Sequence, residues 1–308
     1  GDDDLAVVSD SVDLLFVTLA GEGGTFAAAV PYETAGQPSH ILAVDIDGDT
    51  HPDLLTANYA GKSRGFFKGK GDGTFEDEVQ YSMGGSPNTL TALDLNGDGF
   101  TDVASSNGGA TASVLLQDPA GGFLEPEVYD IDQGPYGIVA IDANGDPYPE
   151  LLVPSYNDAV IDILFGQGDG TFVFVGTTPG VQDADTIAAG DLNHDQHLDL
   201  VLMSESAGGG VALGNGDGTF KDIAPLEDIG SCHGVVLGDV NGDGHLDAAT
   251  AATAKDAVAI FYGDGTGTFD PAAFFPAGEA PYFIASGDWD RSYMSDFAVS
   301  SSEVSVLL

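Results

Sequence analysis

The sequence predicts an all-β fold, a seven-bladed β-propeller of four-stranded antiparallel blades with calcium loops between strands A and B. Three observations predict it: an acidic nonapeptide recurring at intervals of 48 or 49 residues, a glycine turn keeping the same period, and short apolar runs between the two. Four short strands per unit at a period of about 40–50 residues mark propeller blades.

The nonapeptide begins at Asp45, Asp94, Asp142, Asp191, Asp239 and Asp288, and the tail of a further copy opens the sequence, with Asp4 in ninth place. The glycine turn reads Gly-x-Gly-Asp-Gly-Thr-Phe or nearly so. It runs from Gly21 to Phe26, Gly69 to Phe75, Gly166 to Phe172, Gly214 to Phe220 and Gly263 to Phe269, and shrinks to Gly121-Gly122-Phe123 in the third unit. Runs such as Leu5 to Val8 and Asp199 to Met203 are β-branched or apolar and bounded by Gly, Asn, Asp or Pro, which fits strands. Strand A, such as Thr186 to Gly190, enters the acidic loop and strand B leaves it. Strand C ends at the glycine turn, and strand D is expected to start at its Phe. The B–C pair occurs seven times, beginning at Asp4, Asp53, Asp102, Glu150, Asp199, Asp247 and Asp296. The expectation is one domain over 1–308, with repeats starting near 1, 45, 94, 142, 191, 239 and 288 and with incomplete first and last blades.

Composition limits the partners. The 308 residues include 50 Asp or Glu against 7 Lys or Arg, a net charge of −43. Such a surface repels nucleic acid and anionic lipid and favours cations and basic partners. It also requires a neutraliser, because crowded carboxylates drive a compact state apart. No apolar run approaches the ~18–20 residues needed to cross a bilayer, so no membrane insertion is expected. The single cysteine, Cys232, excludes an internal disulfide framework and reads as a small buried side chain.

Within the nonapeptide, position 1 is Asp45, Asp94, Asp142, Asp191, Asp239 and Asp288. Position 3 is Asp47, Asn96, Asn144, Asn193, Asn241 and Asp290; position 5 is Asp49, Asp98, Asp146, Asp195 and Asp243. Position 9 is Asp53, Asp102, Glu150, Asp199, Asp247 and Asp296. Alternate positions of a tight loop point inward together, and hard oxygen ligands of this kind select calcium, with 6–8 oxygens at ~2.3–2.6 Å. Position 7 holds His51, Phe100, Tyr148, His197 and His245, with no shared side-chain chemistry, as expected where only the backbone carbonyl is a ligand. Two carboxylates ~4 Å apart repel by a few kcal/mol at an effective dielectric of ~20, which a bound cation relieves. Five calcium sites are expected. The sixth loop stands apart, because Arg291 replaces glycine and Ser292 replaces the acid at position 5.

The Asp-x-Asn-Gly-Asp-Gly-x-x-Asp loop and the Gly-Asp-Gly-Thr-Phe turn resemble the FG-GAP (VCBS) repeats of integrin α-subunit propellers and of many bacterial secreted proteins, over essentially the whole chain. The resemblance implies a propeller with calcium in the A–B loops and an extracellular or cell-surface location, although no export signal stands in the sequence. The family includes adhesins, lectins, scaffold subunits and lyases, so the resemblance does not name a ligand.

In a propeller the A–B and C–D loops share one face, and the D–A and B–C loops share the other. The second face is expected to carry His40, Tyr59, Tyr136, Tyr156, His233 and Tyr282 as ligand-binding residues, with Lys62 and Arg64 in a B–C loop. No Gly-x-Ser-x-Gly, His-Glu-x-x-His or phosphate-binding glycine loop is present. Cys232 and His233 are neighbours on a strand, so their side chains diverge. A noncatalytic module is expected. It would bind a glycan or protein, or copies of itself by strand donation at the incomplete terminal blades. A propeller-scaffolded polysaccharide lyase or hydrolase is the alternative.

Overall fold

The computed structural model describes residues 3–21, 25–206, 208–289, 295–301 and 304–307. Seven antiparallel sheets of three or four strands follow one another around a ring. The first contains Leu5–Ser9, Leu14–Thr18 and Val30–Glu33, and the last contains Phe283–Gly287, Asp296–Ser300 and Val304–Leu307. The five between them have four strands in the order A-B-C-D. In the fifth these are Ala184–Gly190, Asp199–Ser204, Gly208–Ala212 and Ala224–Pro225.

Strand B forms because its residues are buried on both faces. Asp199–Ser204 is buried at every position, and period two splits its apolar set between neighbouring blades. Leu200 and Leu202 pack on Leu152 and Ile161 of the fourth blade, while Val201 and Met203 pack on Ala248 and Ala252 of the sixth. The core therefore lies between blades, and each buried Leu or Val contributes ~1.5–3 kcal/mol to blade-on-blade packing. The outer D strands alternate exposed residues with one half-buried tyrosine.

The expected start of strand D needs correction. Only in the fourth blade does D begin at the turn phenylalanine, as Phe172–Pro179. Elsewhere Phe75, Phe123, Phe220 and Phe269 make a single bridge back across the turn, and the strand resumes several residues later, as in Val79–Ser82. The phenylalanine is turned toward the preceding blade, and a D-strand tyrosine holds it there. The Tyr32 and Phe75 rings meet edge-on at 5.9 Å, Tyr81 and Phe123 at 5.2 Å, and Tyr129 and Phe172 at 6.0 Å. The Tyr32 and Tyr129 hydroxyls also accept from the Phe75 and Phe172 N–H groups at 3.2 Å.

The ends of the ring meet through the single tryptophan. Trp289, Leu5 and Ala298 form a buried cluster with Ala20, Phe26 and Val306 packed on it. Beside it, the Asp288 N–H donates to Asp3 Oδ2 at 3.0 Å.

Arg64 is not in a loop. It lies in strand C of the second blade, Ser63–Phe67, fully buried, with its guanidinium carbon 3.5 Å from the Phe123 ring centroid and 4.8 Å from that of Tyr81. None of its three guanidinium nitrogens has a hydrogen-bond partner, and burial pulls its pKa down to about 9. A desolvated cation–π contact is worth ~2 kcal/mol, whereas burying an unpaired charge costs several. Arg64→Met is therefore expected to raise the melting temperature in thermal denaturation; a fall would show that the ring contacts outweigh the desolvation.

Candidate metal centres and ligand face

Each acidic loop is wrapped around its first aspartate by backbone N–H groups. Asp239 Oδ1 accepts from Gly242 at 2.7 Å and Asp243 at 3.1 Å, and its Oδ2 accepts from Gly244 at 2.9 Å. Asp45, Asp94 and Asp191 repeat the scheme, and Asp142 accepts from Gly145 at 2.7 Å. The position-5 carboxylate accepts from the position-7 N–H in all five loops: Asp49 from His51, Asp98 from Phe100, Asp146 from Tyr148, Asp195 from His197 and Asp243 from His245. Positions 3 and 5 touch, with Asn96, Asn144 and Asn241 donating to Asp98, Asp146 and Asp243 at 2.9–3.0 Å. Asn193 Oδ1 accepts from the Asp195 N–H at 2.9 Å.

In the first loop the acids lie close enough together to hold a cation. Asp45, Asp47 and Asp49 each bring a carboxylate oxygen within 4.8 Å of the others. The Lys68 ammonium answers this charge by bonding Asp47 and, at 3.0 Å, Asp49. Among the described residues the loops that open at Asp94, Asp142, Asp191 and Asp239 have no lysine or arginine in ion-pair contact. The donor set, carboxylate and amide oxygens with a backbone carbonyl, fits a hard divalent ion. In the sixth loop Asp288 and Asp296 are described, and Asp296 accepts from the Trp289 N–H at 2.6 Å; Asp290, Arg291, Ser292 and Met294 lie outside the described residues.

Position 9 has a second duty. Asp53 is not part of the group formed by Asp45, Asp47 and Asp49. Its Oδ2 accepts from the Ile46 N–H at 3.0 Å and its Oδ1 from the Gly69 N–H at 2.8 Å. Asp102 does the same with Leu95 and Gln117, Asp199 with Leu192 and Gly214, and Asp247 with Val240 and Gly263. Glu150 accepts from the Ala143 N–H and the Asn144 amide. The four aspartate clasps join an A–B loop to a C–D turn, Glu150 stays within its own A–B loop, and all five are fully or almost fully buried. Burial pushes Asp102 up to about 6 and Glu150 up to about 7, and raises Asp53, Asp199 and Asp247.

The turn glycines make room for these loops. The His197 ring lies over Gly216 (φ +73°), where a Cβ would approach within 2.3 Å, and the Gly218 N–H donates to the Ala143 carbonyl of the preceding blade at 2.9 Å. His51, Tyr148 and His245 cover Gly71, Gly168 and Gly265 in the same way. His245 also meets His194 of the neighbouring loop at 2.9 Å.

The opposite face is organised by one repeat position, six residues ahead of each loop's first aspartate: Ser39, Asn88, Tyr136, Asp185, His233 and Tyr282. It marks the entry to strand A, where pairing with strand B slips at Pro38/His40, Pro87/Thr89 and Ala184/Thr186. A bulge leaves one residue unpaired and re-aims its side chain. Successive members meet around the ring. Ser39 Oγ donates to the Asn88 carbonyl at 2.8 Å, and the Asn88 amide donates to the Pro135 carbonyl at 2.7 Å. Asp185 pairs with His233 Nδ1, and His233 stacks on Tyr282 with ring centroids 4.0 Å apart. The Thr89 and Ser106 hydroxyls donate to the Tyr136 carbonyl and fix it in this belt.

A second position, six residues after each ninth residue, adds Tyr59, Tyr156 and Glu205. The Tyr156 hydroxyl donates to Glu205 Oε2 at 2.8 Å, and its ring lies 6.2 Å from that of Tyr136. The Glu205 N–H donates to the Asp183 carbonyl at 3.2 Å, and the Glu205 carboxylate lies near enough to Asp185, in the same blade, to help raise its pKa. Burial and the nearby Tyr136, Asp185 and Glu205 push the Tyr282 hydroxyl up to about 12. The bond to Glu205 does the same to Tyr156. The structure thus gathers Tyr136, Tyr156, His233 and Tyr282. Tyr59 packs over Gly108 at their margin. His40 stands apart: its Nδ1 accepts from the Leu90 N–H at 3.4 Å, burial pulls it down to about 4, and it lines a cavity of about 160 Å³ where the first and last blades meet. Asp185 falls in a D–A loop of this face by sequence, but neither it nor Glu205 was among the expected ligand-binding residues, although the spacing of 49 from Tyr136 to Asp185 and from Tyr156 to Glu205 carries the signal.

Six overlapping segments, 1–56, 45–105, 94–153, 142–202, 191–250 and 239–299, match the FG-GAP-like repeat. The chain belongs to the FG-GAP-like repeat family. No curated protein matches this FG-GAP propeller. Among solved structures it is similar to a candidate 6-phosphogluconolactonase from Bacteroides fragilis NCTC 9343, with TM-score 0.69 and 14% identity over 98% of this chain and 91% of that one. It is also similar to a functionally unknown protein from Desulfotomaculum acetoxidans DSM 771, with TM-score 0.60 and 13% identity over 89% and 86%. A third likeness is to BBS1N in complex with ARL6DN, with TM-score 0.58 and 15% identity over 87% and 78%. At these identities the likeness is one of fold.

Two predictions follow from the loop geometry of the FG-GAP repeats. Asp199→Ala strands two buried N–H donors at ~1–3 kcal/mol each. It should lower stability by roughly 2–5 kcal/mol in urea denaturation whether or not calcium is present, while Asp195→Ala should act only when calcium is present. The second concerns pH. With folded values raised above 3.8 and 4.5, the folded chain holds the Asp102 and Glu150 protons more tightly than the unfolded chain. In EGTA this contribution is full below pH ~4 and is lost as pH rises toward about 7. Melting curves should therefore show a larger gain on adding calcium at pH 7.5 than at pH 5.

Proposed function

We propose that this chain is a noncatalytic extracellular binding module, stabilised by calcium in five A–B loops, that holds a glycan or protein ligand on its D–A and B–C face. The observation that carries this reading is the contrast between the two faces. The loop face repeats one set of oxygen donors, whereas the belt changes residue type at every blade on an unchanged frame. Variable side chains on a rigid, repeated scaffold are how recognition surfaces are built. The neighbourhood of Cys232 supports a noncatalytic role. Its thiol donates to the Ser204 carbonyl at 3.2 Å, is fully buried, and is pushed up to about 11 by that burial. It offers His233 no thiolate to activate. No helix among the described residues is long and apolar enough to cross a membrane. Extracellular sites of this kind bind calcium at ~10⁻⁴–10⁻³ M, so millimolar calcium outside cells suffices.

Self-assembly is a second reading. Among the described residues the strand Leu5–Ser9 pairs only with Leu14–Thr18, and it lines the seam cavity together with Ile41, Phe283 and Ile284. A strand from another copy would find unpaired backbone and apolar walls there.

Chelation with EGTA should lower the melting temperature by about 10 °C or more, since several ions bound only to the folded form act by mass action. Metal analysis of the purified protein should find calcium; its absence, with unchanged melting in EGTA, overturns the calcium reading. A glycan array and turnover assays on polysaccharides test the rest. Binding that is lost in Tyr282→Leu, with no turnover, is the expected result, and electron microscopy would reveal filaments if strand exchange operates.

A further inference from the structure

The belt is not chemically uniform. Between the fourth and seventh blades it carries three tyrosines, two carboxylates and one histidine, with no lysine or arginine among them. Tyr136 and Tyr282 are 45% and 42% exposed, large values for rings in a folded domain, and each is anchored from behind. Hydroxyls of the third blade fix Tyr136, and His233 backs Tyr282. Beneath them Asp185 is almost closed off, its side chain 9% exposed. One of its oxygens is spent on His233, while Oδ1 has no hydrogen-bond partner. An unpaired buried carboxylate oxygen is costly unless something positive reaches it. Glu205 adds a second charge at the same corner, held by the Tyr156 hydroxyl.

We propose that this corner of the belt binds an organic ammonium group, such as the end of a lysine side chain, between Tyr136, Tyr156 and Tyr282 and against Asp185 and Glu205. The inference rests on the ligand-face reading above and names the chemistry that face selects. Tyrosine faces carry negative quadrupole potential and attract cations within ~6 Å of the ring centre. The carboxylates supply the opposing charge, and three ammonium N–H groups match Asp185 Oδ1, Glu205 and a tyrosine oxygen as acceptors. A neutral sugar would stack on the same rings but would leave the carboxylate charge uncompensated. The strongly negative field of the whole chain concentrates cations at the face before they dock.

The test uses the full chain saturated with calcium, so that the acidic loops are filled. n-Butylammonium chloride is titrated by calorimetry against n-pentanol, a neutral alcohol one methylene longer whose extra apolar surface favours the alcohol, and against methyl glucoside. Capped Gly-Lys-Gly is a parallel probe. The expected result is that n-butylammonium binds at least about tenfold more tightly than n-pentanol, and that Tyr282→Leu and Asp185→Asn each weaken it by about tenfold. Phe274→Leu, on the outer strand of the sixth blade, should leave binding unchanged. Tighter binding of the capped peptide would identify a protein lysine as the source, and equal binding a free amine; both support the proposal. Equal binding of n-butylammonium and n-pentanol overturns it, as does ammonium binding that ignores Tyr282 and Asp185. If methyl glucoside binds at Tyr282 while the ammonium does not, the ligand-face reading stands and the ammonium proposal falls. If no probe binds, both fall. Unchanged melting temperatures of the variants confirm that the comparison is made on folded protein.

Discussion

A buried carboxylate at the ninth loop position is the constraint on which the rest of this structure depends. Its two oxygens draw in N–H groups from segments far apart in sequence, one in the A–B loop and one in the C–D turn. Charge-assisted bonds of this kind are worth ~1.5–3 kcal/mol each, yet burying the charge opposes them, and the raised pKa values show that desolvation weighs more when no cation is near. A divalent ion in the adjacent cradle would reverse that balance. The clasp and the acidic loop would then be coupled: the clasp gathers acids close together, and a bound cation would make that gathering favourable.

From this anchor the joints between blades follow. The C–D turn, pinned from within its own blade, extends toward the preceding one. There its phenylalanine meets a D-strand tyrosine, as Phe75 meets Tyr32, and its last glycine bonds a loop carbonyl, as Gly218 does with Ala143. These contacts point the same way around the ring. Closure requires a different solution, and the tryptophan supplies it, filling the junction of first and last sheets with a side chain used nowhere else in the chain.

The repeat made most of the fold legible. Strand order, blade number and the pairing of loops by face can be read from two periodic signals because each encodes a local turn geometry. The start of strand D was misjudged because the phenylalanine obeys a contact with the neighbouring blade, which no within-blade pattern reveals. Arg64 was misplaced for a related reason: a charged residue near a loop reads as exposed, whereas here aromatic rings from the next joint cover it. The clasp made by Asp53 and its equivalents was also hidden, since a metal ligand and a backbone clasp call for the same residue type. On the ligand face the individual tyrosines were visible. Their meeting with Asp185 and Glu205 was not, because it depends on how the chain enters each blade, with Asp185 itself skipped in the pairing of strands A and B.

Because the belt draws one side chain from each of the second to seventh blades, its character is set by circular order as much as by content. Asp185 owes its polarity to having His233 as its neighbour on one side, and Tyr282 owes its support to the same histidine on the other. Exchange two blades without altering a residue, and the same six letters would spell another surface. A small alphabet arranged on a closed circle can therefore diversify by shuffling repeats, with the acidic loops on the opposite face carried along unaltered.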